Sequence, residues 1–378
     1  MTPFGADARL LSVDAVRGLT VAAMVLVNNP GTWSAVYAPL QHAGWHGWTP
    51  TDMVFPFFLF VVGVSIPLAL GPALERGAGG LPVRVLRRAA VIFTLGLLLH
   101  ALPFFPLAEL RIPGVLQRIA VCYLLAALLV LATGGARGWR AQAVTAGVLL
   151  VGYWLVMTRV AAPGQVAGDL SPEGNLSGYV DRLVLGTRHI WQATRVYDPE
   201  GILSTLPATA TTLLGVLAGH WLRAGPSSDR PVARIVGGLA VGGLVATALG
   251  WLWGLSFPVN KPLWTSSYAL LMAGLAALLL ALCHWAVEVR GRRGWAVPFA
   301  ILGVHALTLF FLSSLMAKLL FIVRVGAGGP RLQAWLFAYL FAPWASPINA
   351  SLAYALAYVL LWWALMWVLD RSGLRLRV

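Results

Sequence analysis

Apolar runs of about twenty residues, separated by short charged or Pro/Gly-rich breaks, recur along the whole sequence. An α-helix rises 1.5 Å per residue, so such a run spans the roughly 30 Å hydrocarbon core of a bilayer. The runs predict membrane-spanning helices near 12–29, 52–71, 85–102, 115–133, 141–158, 201–222, 233–254, 265–288, 297–320 and 349–369. We therefore predict an all-α, polytopic transmembrane helix bundle of about ten spans, forming a single domain over residues 1–378.

Two stretches between these runs are too long and too patterned to be simple connectors. Residues 159–200 contain GYVDRLVLGTRHIWQ and YDPEG, and residues 321–348 are amphipathic and aromatic around Trp335, Phe337 and Tyr339. An amphipathic aromatic segment can lie along the membrane interface. We expect both stretches on the outer side of the membrane.

The composition indicates an apolar solvent, because 59% of the residues are hydrophobic and only 11% are charged. Soluble proteins carry about 25% charged residues. The net charge of +14 does not indicate a nucleic-acid binder, since the basic residues punctuate the apolar runs instead of forming one stripe. Cys122 and Cys283 lie far apart in two apolar runs, so we expect neither a disulfide framework nor a metal site.

The placement of the basic residues predicts the orientation. Cytoplasmic loops of membrane proteins are enriched in Lys and Arg, most clearly in short loops. The clusters Arg84–Arg88 and Arg290–Arg293 lie in short loops on the side that also receives Arg9, Arg230, Arg375 and Arg377. We predict an N-in, C-in, multi-pass protein of a bacterial inner membrane.

Ionisable residues near spans are the main functional indicators in such a chain. Asp14 and Arg17 are three residues apart, so they share a face of the first helix. They predict an ion pair that fixes the insertion of this helix. A second interpretation is that Arg17 also contacts an anionic cofactor.

The loop before the second span carries the strongest catalytic pattern. His42 and His46 frame Trp45, and Asp52 follows at the N-terminal end of an apolar helix, where it can cap the helix and orient an imidazole. Asn28 closes the preceding helix. An imidazole, a carboxylate and an amide donor suit acyl transfer. The alternatives are solvated loop histidines and an Asp52 that only caps.

Further polar residues lie at the outer ends of two later spans. RIPGVLQRIAVCY places Arg118 at the start of span four, and FPVNKPLWTSSYAL places Asn260, Lys261 and Trp264 before span eight. A Pro-flanked Asn-Lys can mark a broken helix end that faces a cavity. The alternative is a turn with a snorkelling Lys261.

These motifs resemble a known family. RLLSVDAVRGLTVAAMVLVNNPG and QHAGWHGWTPTDMVFPFFLFVVG closely resemble the opening of the heparan-α-glucosaminide N-acetyltransferase family, and RIPGVLQR, GYVDRLVLG, YDPEGILSTLPA and FPVNKPLW resemble its later blocks in order. The resemblance implies an enzyme that uses cytosolic acetyl-CoA to acetylate the amine of a terminal glucosamine on the far side. The family's histidine in its H-A-x-W-x-G block matches His42, and its asparagine matches Asn28.

The expected roles follow from the residues and the resemblance together. We expect His42, Asn28 and Asp52 to be catalytic, with His42 a general base or a transient acetyl carrier. The acetyl-CoA phosphates are expected at Arg17, Arg84, Arg87 and Arg88, although the last three can equally serve orientation alone. Trp45, His46, Arg118, Asn260, Lys261 and Trp264 are expected to bind the acceptor. No metal and no nucleic acid are expected; the partners are acetyl-CoA, an amino sugar or glycan and the lipid bilayer, and a homodimer remains open.

The acceptor and two competing classes stay open. The family's lysosomal enzyme carries a large lumenal domain before its VDAVRG-like block, so we expect this bacterial relative to use a smaller amino sugar or an envelope glycan. One alternative is a transporter or flippase of a sugar or lipid-linked sugar, although the sequence has no second copy of the VDAVRG…HAGWHGW block. The other is an O-acyltransferase of envelope glycans.

Overall fold

The structure, a computed structural model, describes residues 10–224 and 232–373. Arg9, Arg230, Arg375 and Arg377, which entered the orientation argument, lie outside the described residues. Within them, regular structure is helical apart from an isolated antiparallel bridge between Arg324 and Arg331. The helices are α1 (Leu11–Asn28), α2 (Pro50–Glu75), α3 (Leu81–Ala101), α4 (Val115–Ala132), α5 (Trp139–Arg159), α6 (Leu176–Leu185), α7 (Thr205–Ala224), α8 (Val232–Trp253), α9 (Ser266–His284), α10 (Ala296–Val304), α11 (Ala306–Ile322), α12 (Leu332–Leu340) and α13 (Pro347–Arg371).

The all-α prediction is confirmed, and a helix lies at each predicted span. Among the described residues, seven segments are long and apolar enough to cross a membrane, or up to eight if the bent pair α10–α11 is one span. α3 and α7 lie at predicted positions but do not belong to this set. The count of about ten spans therefore stays a prediction, and so does the N-in, C-in orientation.

The predicted span 297–320 is divided between two helices, and whether this pair crosses the membrane as one span stays a prediction. α10 and α11 are bent by 77° at His305. At the break, a guanidinium nitrogen of Arg17 approaches the carbonyl oxygen of Gly303 at 3.4 Å. Where a membrane helix is broken, a neighbouring helix can supply a hydrogen-bond donor to its backbone carbonyls. The bend thus has a polar partner supplied by α1.

The chain forms two compact units that interleave in sequence. The first contains α1, the start of α2 up to Phe55 and α10–α13. Its helices α1 and α10 approach closely: a Cβ added at Gly303 would lie 2.1 Å from the carbonyl oxygen of Asp14. Small residues allow such backbone contact between membrane helices. The prediction of one domain over residues 1–378 stays a prediction.

The second unit contains residues 44–48, the rest of α2 from Pro56, and α3–α9. Here α2 and α7 cross in backbone contact, since a Cβ at Gly63 would lie 2.0 Å from the carbonyl oxygen of Thr212, and one at Gly215 would lie 2.1 Å from that of Phe60. α8 and α9 pack together in the same unit. The packing brings the loops before α2, after α6 and before α9 into contact.

Candidate functional site

The first unit brings His42 and Asp52 together in the loop before α2. Nδ1 of His42 lies 2.6 Å from Oδ1 of Asp52. The carboxylate is 1% exposed, whereas about half of the histidine side chain is exposed. The predicted pairing of imidazole and carboxylate is therefore present, with the carboxylate buried and the ring open to solvent.

The local sequence explains why Asp52 takes this position. Thr49 directly precedes α2, and its backbone N–H donates to Oδ2 of Asp52 at 3.0 Å. This is the reciprocal contact of a capping box, in which the third helical residue reaches back to the cap. Asp52 is thus not the N-cap itself, as the simplest alternative predicted. Its Oδ2 also accepts the N–H of Ala43 at 3.0 Å, which leaves Oδ1 for the imidazole.

This contact fixes the proton arrangement on His42. A carboxylate only accepts hydrogen bonds, so Nδ1 of the histidine must carry the proton. In the neutral ring, Nε2 then holds the lone pair. The pair therefore presents a base on the exposed edge of the imidazole and a buried carboxylate behind it.

The other candidates of the first unit have distinct environments. Asn28 is the last residue of α1, and its exposed side chain has no hydrogen-bond partner among the described residues. Arg17 pairs with Asp14 at 3.0 Å, so the predicted ion pair on α1 is confirmed. Whether Arg17 contacts a cofactor stays a prediction.

The second unit holds Trp45 and His46 in a loop fixed by long-range hydrogen bonds. The backbone N–H of Gly47 donates to the carbonyl of Val259 at 2.7 Å, and the indole N–H of Trp45 donates to the carbonyl of Leu170 at 2.9 Å. The Trp45 ring also meets Tyr197 edge to face, with centroids 5.0 Å apart. Partial burial lowers the pKa of His46, which favours the neutral imidazole.

The turn before α9 is built around the buried side chain of Asn260. Its Oδ1 accepts the N–H of Leu263 at 2.8 Å, and its Nδ2 donates to the carbonyl of Trp45 at 3.0 Å and lies 3.3 Å from Nδ1 of His46. Lys261, half-buried in the same turn, accepts the N–H of Trp264 on its carbonyl at 2.9 Å. The predicted turn before span eight is therefore present, with its amide directed at the loop of Trp45 and His46.

Trp264 and Arg118 form a buried pair. Trp264 adopts a φ of +48°, a left-handed conformation that is uncommon outside glycine. Its indole N–H donates to Oγ1 of Thr211 at 3.2 Å, and the guanidinium of Arg118 lies 5.1 Å from the ring centroid. Nη2 of Arg118 donates to the carbonyl of Gly201 at 3.0 Å and to the hydroxyl of Ser204.

Three of the residues expected to bind the acceptor are buried and are not part of an exposed surface. Arg118, Asn260 and Trp264 are each at most 2% exposed. Nε and Nη1 of Arg118 have no hydrogen-bond partner among the described residues. Their expected role in acceptor binding stays a prediction; the contacts present here are those of a framework that supports the loops.

GYVDRLVLG and YDPEG contribute buried acidic residues that were not among the predicted site residues. Arg111 binds Asp198 through two nitrogens, at 2.6 and 2.9 Å, and Glu200 at 2.5 Å. Asp181 of α6 accepts the N–H of Ile202 at 2.8 Å, and burial, with the nearby charge of Asp198, raises its pKa to about 6. The sequence signal that could have identified these residues is the concentration of charged residues in these motifs, in a chain with only 11% charged residues.

The arginines expected at the coenzyme A phosphates lie at the start of α3. Arg84, Arg87 and Arg88 are all exposed, and none pairs with a carboxylate within the described ranges. The guanidinium of Arg88 lies 5.2 Å from the centroid of the Tyr123 ring. Three exposed cations without acidic partners are compatible with a phosphate contact and equally with orientation alone.

Comparison with known proteins gives the family. A family model described as "Heparan-alpha-glucosaminide N-acetyltransferase, catalytic" matches residues 9–246. The chain is 30% identical to the human heparan-alpha-glucosaminide N-acetyltransferase and 29% identical to the mouse protein, over 355 residues in each case. These matches cover 80% of this chain but 52% and 53% of the relatives, so the chain spans about half the length of the curated relatives it matches. The matched region contains the buried carboxylate, the exposed histidine and the arginines of α3, and the chain belongs to the heparan-alpha-glucosaminide N-acetyltransferase family.

Proposed function

We propose that the protein is a transmembrane N-acetyltransferase that moves an acetyl group from cytoplasmic acetyl-CoA to the amine of a glucosamine-type sugar on the outer side. The observation that carries the proposal is the His42–Asp52 pair, in which a buried carboxylate fixes the proton of an exposed imidazole. Membership of the family supports the transferred group and the acceptor class. The proposed location is a bacterial inner membrane.

The chemistry assigned to His42 is general base catalysis. Nε2 removes a proton from the acceptor amine, and the amine nitrogen attacks the thioester carbon. The C–N bond forms, the C–S bond breaks, and the coenzyme A thiolate leaves and takes the proton held by His42. Because the acceptor enters as an ammonium ion, one further proton goes to water. A positioned base of this kind contributes about 10²–10⁴-fold in rate.

Asn28 is assigned to the developing oxyanion. Its side-chain amide has no partner among the described residues and can therefore donate to the carbonyl oxygen of the thioester. An alternative route has Nε2 of His42 accept the acetyl group before the amine does. A rapid quench with labelled acetyl-CoA and no acceptor distinguishes the two, because only this route leaves label on the protein.

The donor side of the proposal rests on charge. Coenzyme A is polyanionic and does not cross hydrocarbon, so its phosphates must bind at the inner face. Arg84, Arg87 and Arg88 present guanidinium groups whose planar forks suit phosphate oxygens. Arg17 is the second candidate for the same contact.

The function is tested with purified protein, labelled acetyl-CoA and a panel of acceptors. Glucosamine should yield an N-acetylated product, whereas glucose, which lacks the amine, should not. Acetylation of glucose at a similar rate would instead indicate an O-acyltransferase. Transport of the sugar without any acetylated product would indicate the transporter class.

Sidedness is tested with introduced cysteines in a variant that lacks Cys122 and Cys283. Ser171 lies in the stretch placed outside, and Gly79 lies before α3, where an added Cβ meets nothing within 4 Å. A membrane-impermeant thiol reagent on intact cells should label Ser171→Cys and leave Gly79→Cys unlabelled. The reverse pattern, or equal labelling, would overturn the orientation and the inner phosphate site.

A further inference from the structure

Asn260 has a side-chain amide whose orientation is fixed by two backbone groups. Oδ1 accepts the N–H of Leu263 at 2.8 Å, and Nδ2 donates to the carbonyl of Trp45 at 3.0 Å. If the amide oxygen and nitrogen of Asn260 were exchanged, the NH₂ would face the N–H of Leu263, and the oxygen would face the carbonyl of Trp45. The side chain is fully buried, so no water relieves such a clash. The amide nitrogen therefore faces the loop that carries His46.

This orientation decides the tautomer of His46. Nδ2 of Asn260 lies 3.3 Å from Nδ1 of His46, and an amide nitrogen only donates hydrogen bonds. Nδ1 of His46 must then be the acceptor, and the proton of the neutral ring lies on Nε2. The exposed ring has no hydrogen-bond partner for Nε2 among the described residues.

The loop holds this donor in place. The N–H of Gly47 bonds to the carbonyl of Val259, and the indole of Trp45 is fixed by the carbonyl of Leu170 and by the Tyr197 ring. A donor whose direction is set before binding loses little entropy when a ligand arrives. A neutral N–H suits a hydroxyl or carbonyl oxygen, whereas it repels an ammonium group.

We propose that Nε2–H of His46 donates a hydrogen bond to a ring-substituent oxygen of the acceptor sugar, and that Asn260 is the positioning residue that holds His46 in this tautomer. The sugar class rests on the proposed function, whereas the tautomer does not. His46 then selects for sugar oxygens and leaves the amine free for chemistry. Its contribution is to acceptor binding and alignment, not to proton abstraction.

The tautomer is tested by ¹⁵N NMR of histidine-labelled protein, in which the His46 signals among the seven histidines are assigned by their loss in His46→Gln. In the wild-type protein, Nε2 should have a pyrrole-like shift and Nδ1 a pyridine-like shift at neutral pH. In Asn260→Asp, the carboxylate should draw the proton to Nδ1 and reverse the two shifts. A wild-type His46 protonated on Nδ1 would overturn the proposal even if Asn260→Asp failed to fold.

The donor role is tested by two amides of different reach. Glutamine can place its NH₂ near the position of Nε2, whereas asparagine reaches only to Nδ1. His46→Gln should keep kcat/KM for glucosamine within a few-fold, while His46→Asn and His46→Ala should lose about tenfold, the value of one neutral hydrogen bond. KM for acetyl-CoA should not change. Equal activity of the glutamine and alanine variants would overturn the donor role.

A binding measurement separates this inference from the proposed acetyl transfer. Glucosamine added to labelled wild-type protein without acetyl-CoA should shift the Nε2–H resonance of His46. If the protein transfers no acetyl group but shows this shift, the proposed enzyme activity is refuted, and the proposed hydrogen bond from Nε2–H of His46 to the sugar stands. If the enzyme is active but glucosamine leaves the resonance unchanged, the proposed hydrogen bond from His46 is refuted, and the proposed acetyl transfer stands.

Discussion

His42 and His46 lie four residues apart in one loop, yet their partners give them opposite polarity. Nδ1 of His42 bonds to a carboxylate and therefore carries the proton of the neutral ring, which leaves a lone pair on Nε2. Nδ1 of His46 faces an amide NH₂ and must accept, so Nε2 of His46 carries the proton. The residue type is the same in both cases. The partner, Asp52 or Asn260, determines whether the ring offers a base or a donor.

The same contrast holds for two buried carboxylates. Asp52 accepts N–H groups from Ala43 and Thr49 as well as the imidazole, so both of its oxygens are used. Asp181 uses Oδ1 for Ile202, while its Oδ2 has no partner within the described part of the chain. Oδ2 of Asp181 lacks a partner in a buried site, and burial raises the pKa of this carboxyl, which favours its protonated form. Asp52 can thus orient an imidazole, whereas the charged form of Asp181 limits stability.

The largest expected effect is the loss of the base. His42→Ala should lower kcat for acetyl transfer by about 10²–10⁴-fold, because a general base contributes that range. Melting temperature and acetyl-CoA binding should stay near their wild-type values, since the ring is half exposed. Gln41→Ala, a change at the preceding exposed residue, is the matched control. More than about a tenth of the wild-type rate in His42→Ala would be too much for a lost base.

Exchanging the partner of His42 should produce the next largest effect. In Asp52→Asn, the oxygen must stay with the N–H groups of Ala43 and Thr49, so the NH₂ faces the imidazole. His42 then takes the tautomer assigned to His46 and loses its exposed lone pair. We expect kcat to fall by about a hundredfold, the lower end for a general base. Kinetics of acetyl transfer and ¹⁵N shifts of His42 should change together; an altered shift with unchanged kcat would contradict the assignment of the base.

The contrast between carboxylates predicts a pH effect on stability. Burial raises the pKa of Asp181 from 3.8 to about 6, so the folded protein retains a proton that the unfolded chain releases between these values. The contribution of this group to stability is therefore greatest below about pH 4, and it decreases as the pH rises to about 6. Asp181→Asn should raise the free energy of unfolding at pH 7 by an amount on the order of 2–3 kcal/mol, which is measured as a higher melting temperature. The gain should vanish below pH 4.

Asp169 supplies the matched control for this effect. Hydrogen bonds from Ser171 lower the pKa of Asp169, so its anion is favoured in the folded state. Asp169→Asn should therefore give no gain in melting temperature at pH 7. A gain of similar size in both variants would attribute the effect to net charge and not to the unsatisfied oxygen of Asp181.

The smallest expected effect concerns the donor substrate. Replacing Arg84, Arg87 and Arg88 by glutamine should raise KM for acetyl-CoA by about tenfold, while kcat changes little because phosphate contacts persist through the reaction. Arg137→Gln, at another exposed arginine on the predicted inner side, is the control. An unchanged KM in a correctly inserted triple variant would assign the cluster to orientation alone and direct the search to Arg17.

The local features could be predicted because short sequence separations determine them. Asp14 and Arg17 share a face of one helix, and Asp52 sits in the first turn of another, close to the loop of His42. The apolar run length predicted where the helices lie, since the bilayer sets that length. The 77° bend at His305 could not be predicted in this way, because the polar partner of Gly303 comes from α1, 286 residues away in sequence.

The sequence by itself determined the helical class, the positions of the helices in the predicted spans and the family blocks, and it offered the pairing of His42 with Asp52 as one of two interpretations. Only the tertiary structure decided the partner of His46, the framework of Arg118 against Trp264, and the unsatisfied oxygen of Asp181. Asn260 and His46 are 214 residues apart, so no periodicity of a single helix relates them. Hydrophobic patterning specifies which residues leave water, but the direction of each buried hydrogen bond depends on which helices pack together and how closely.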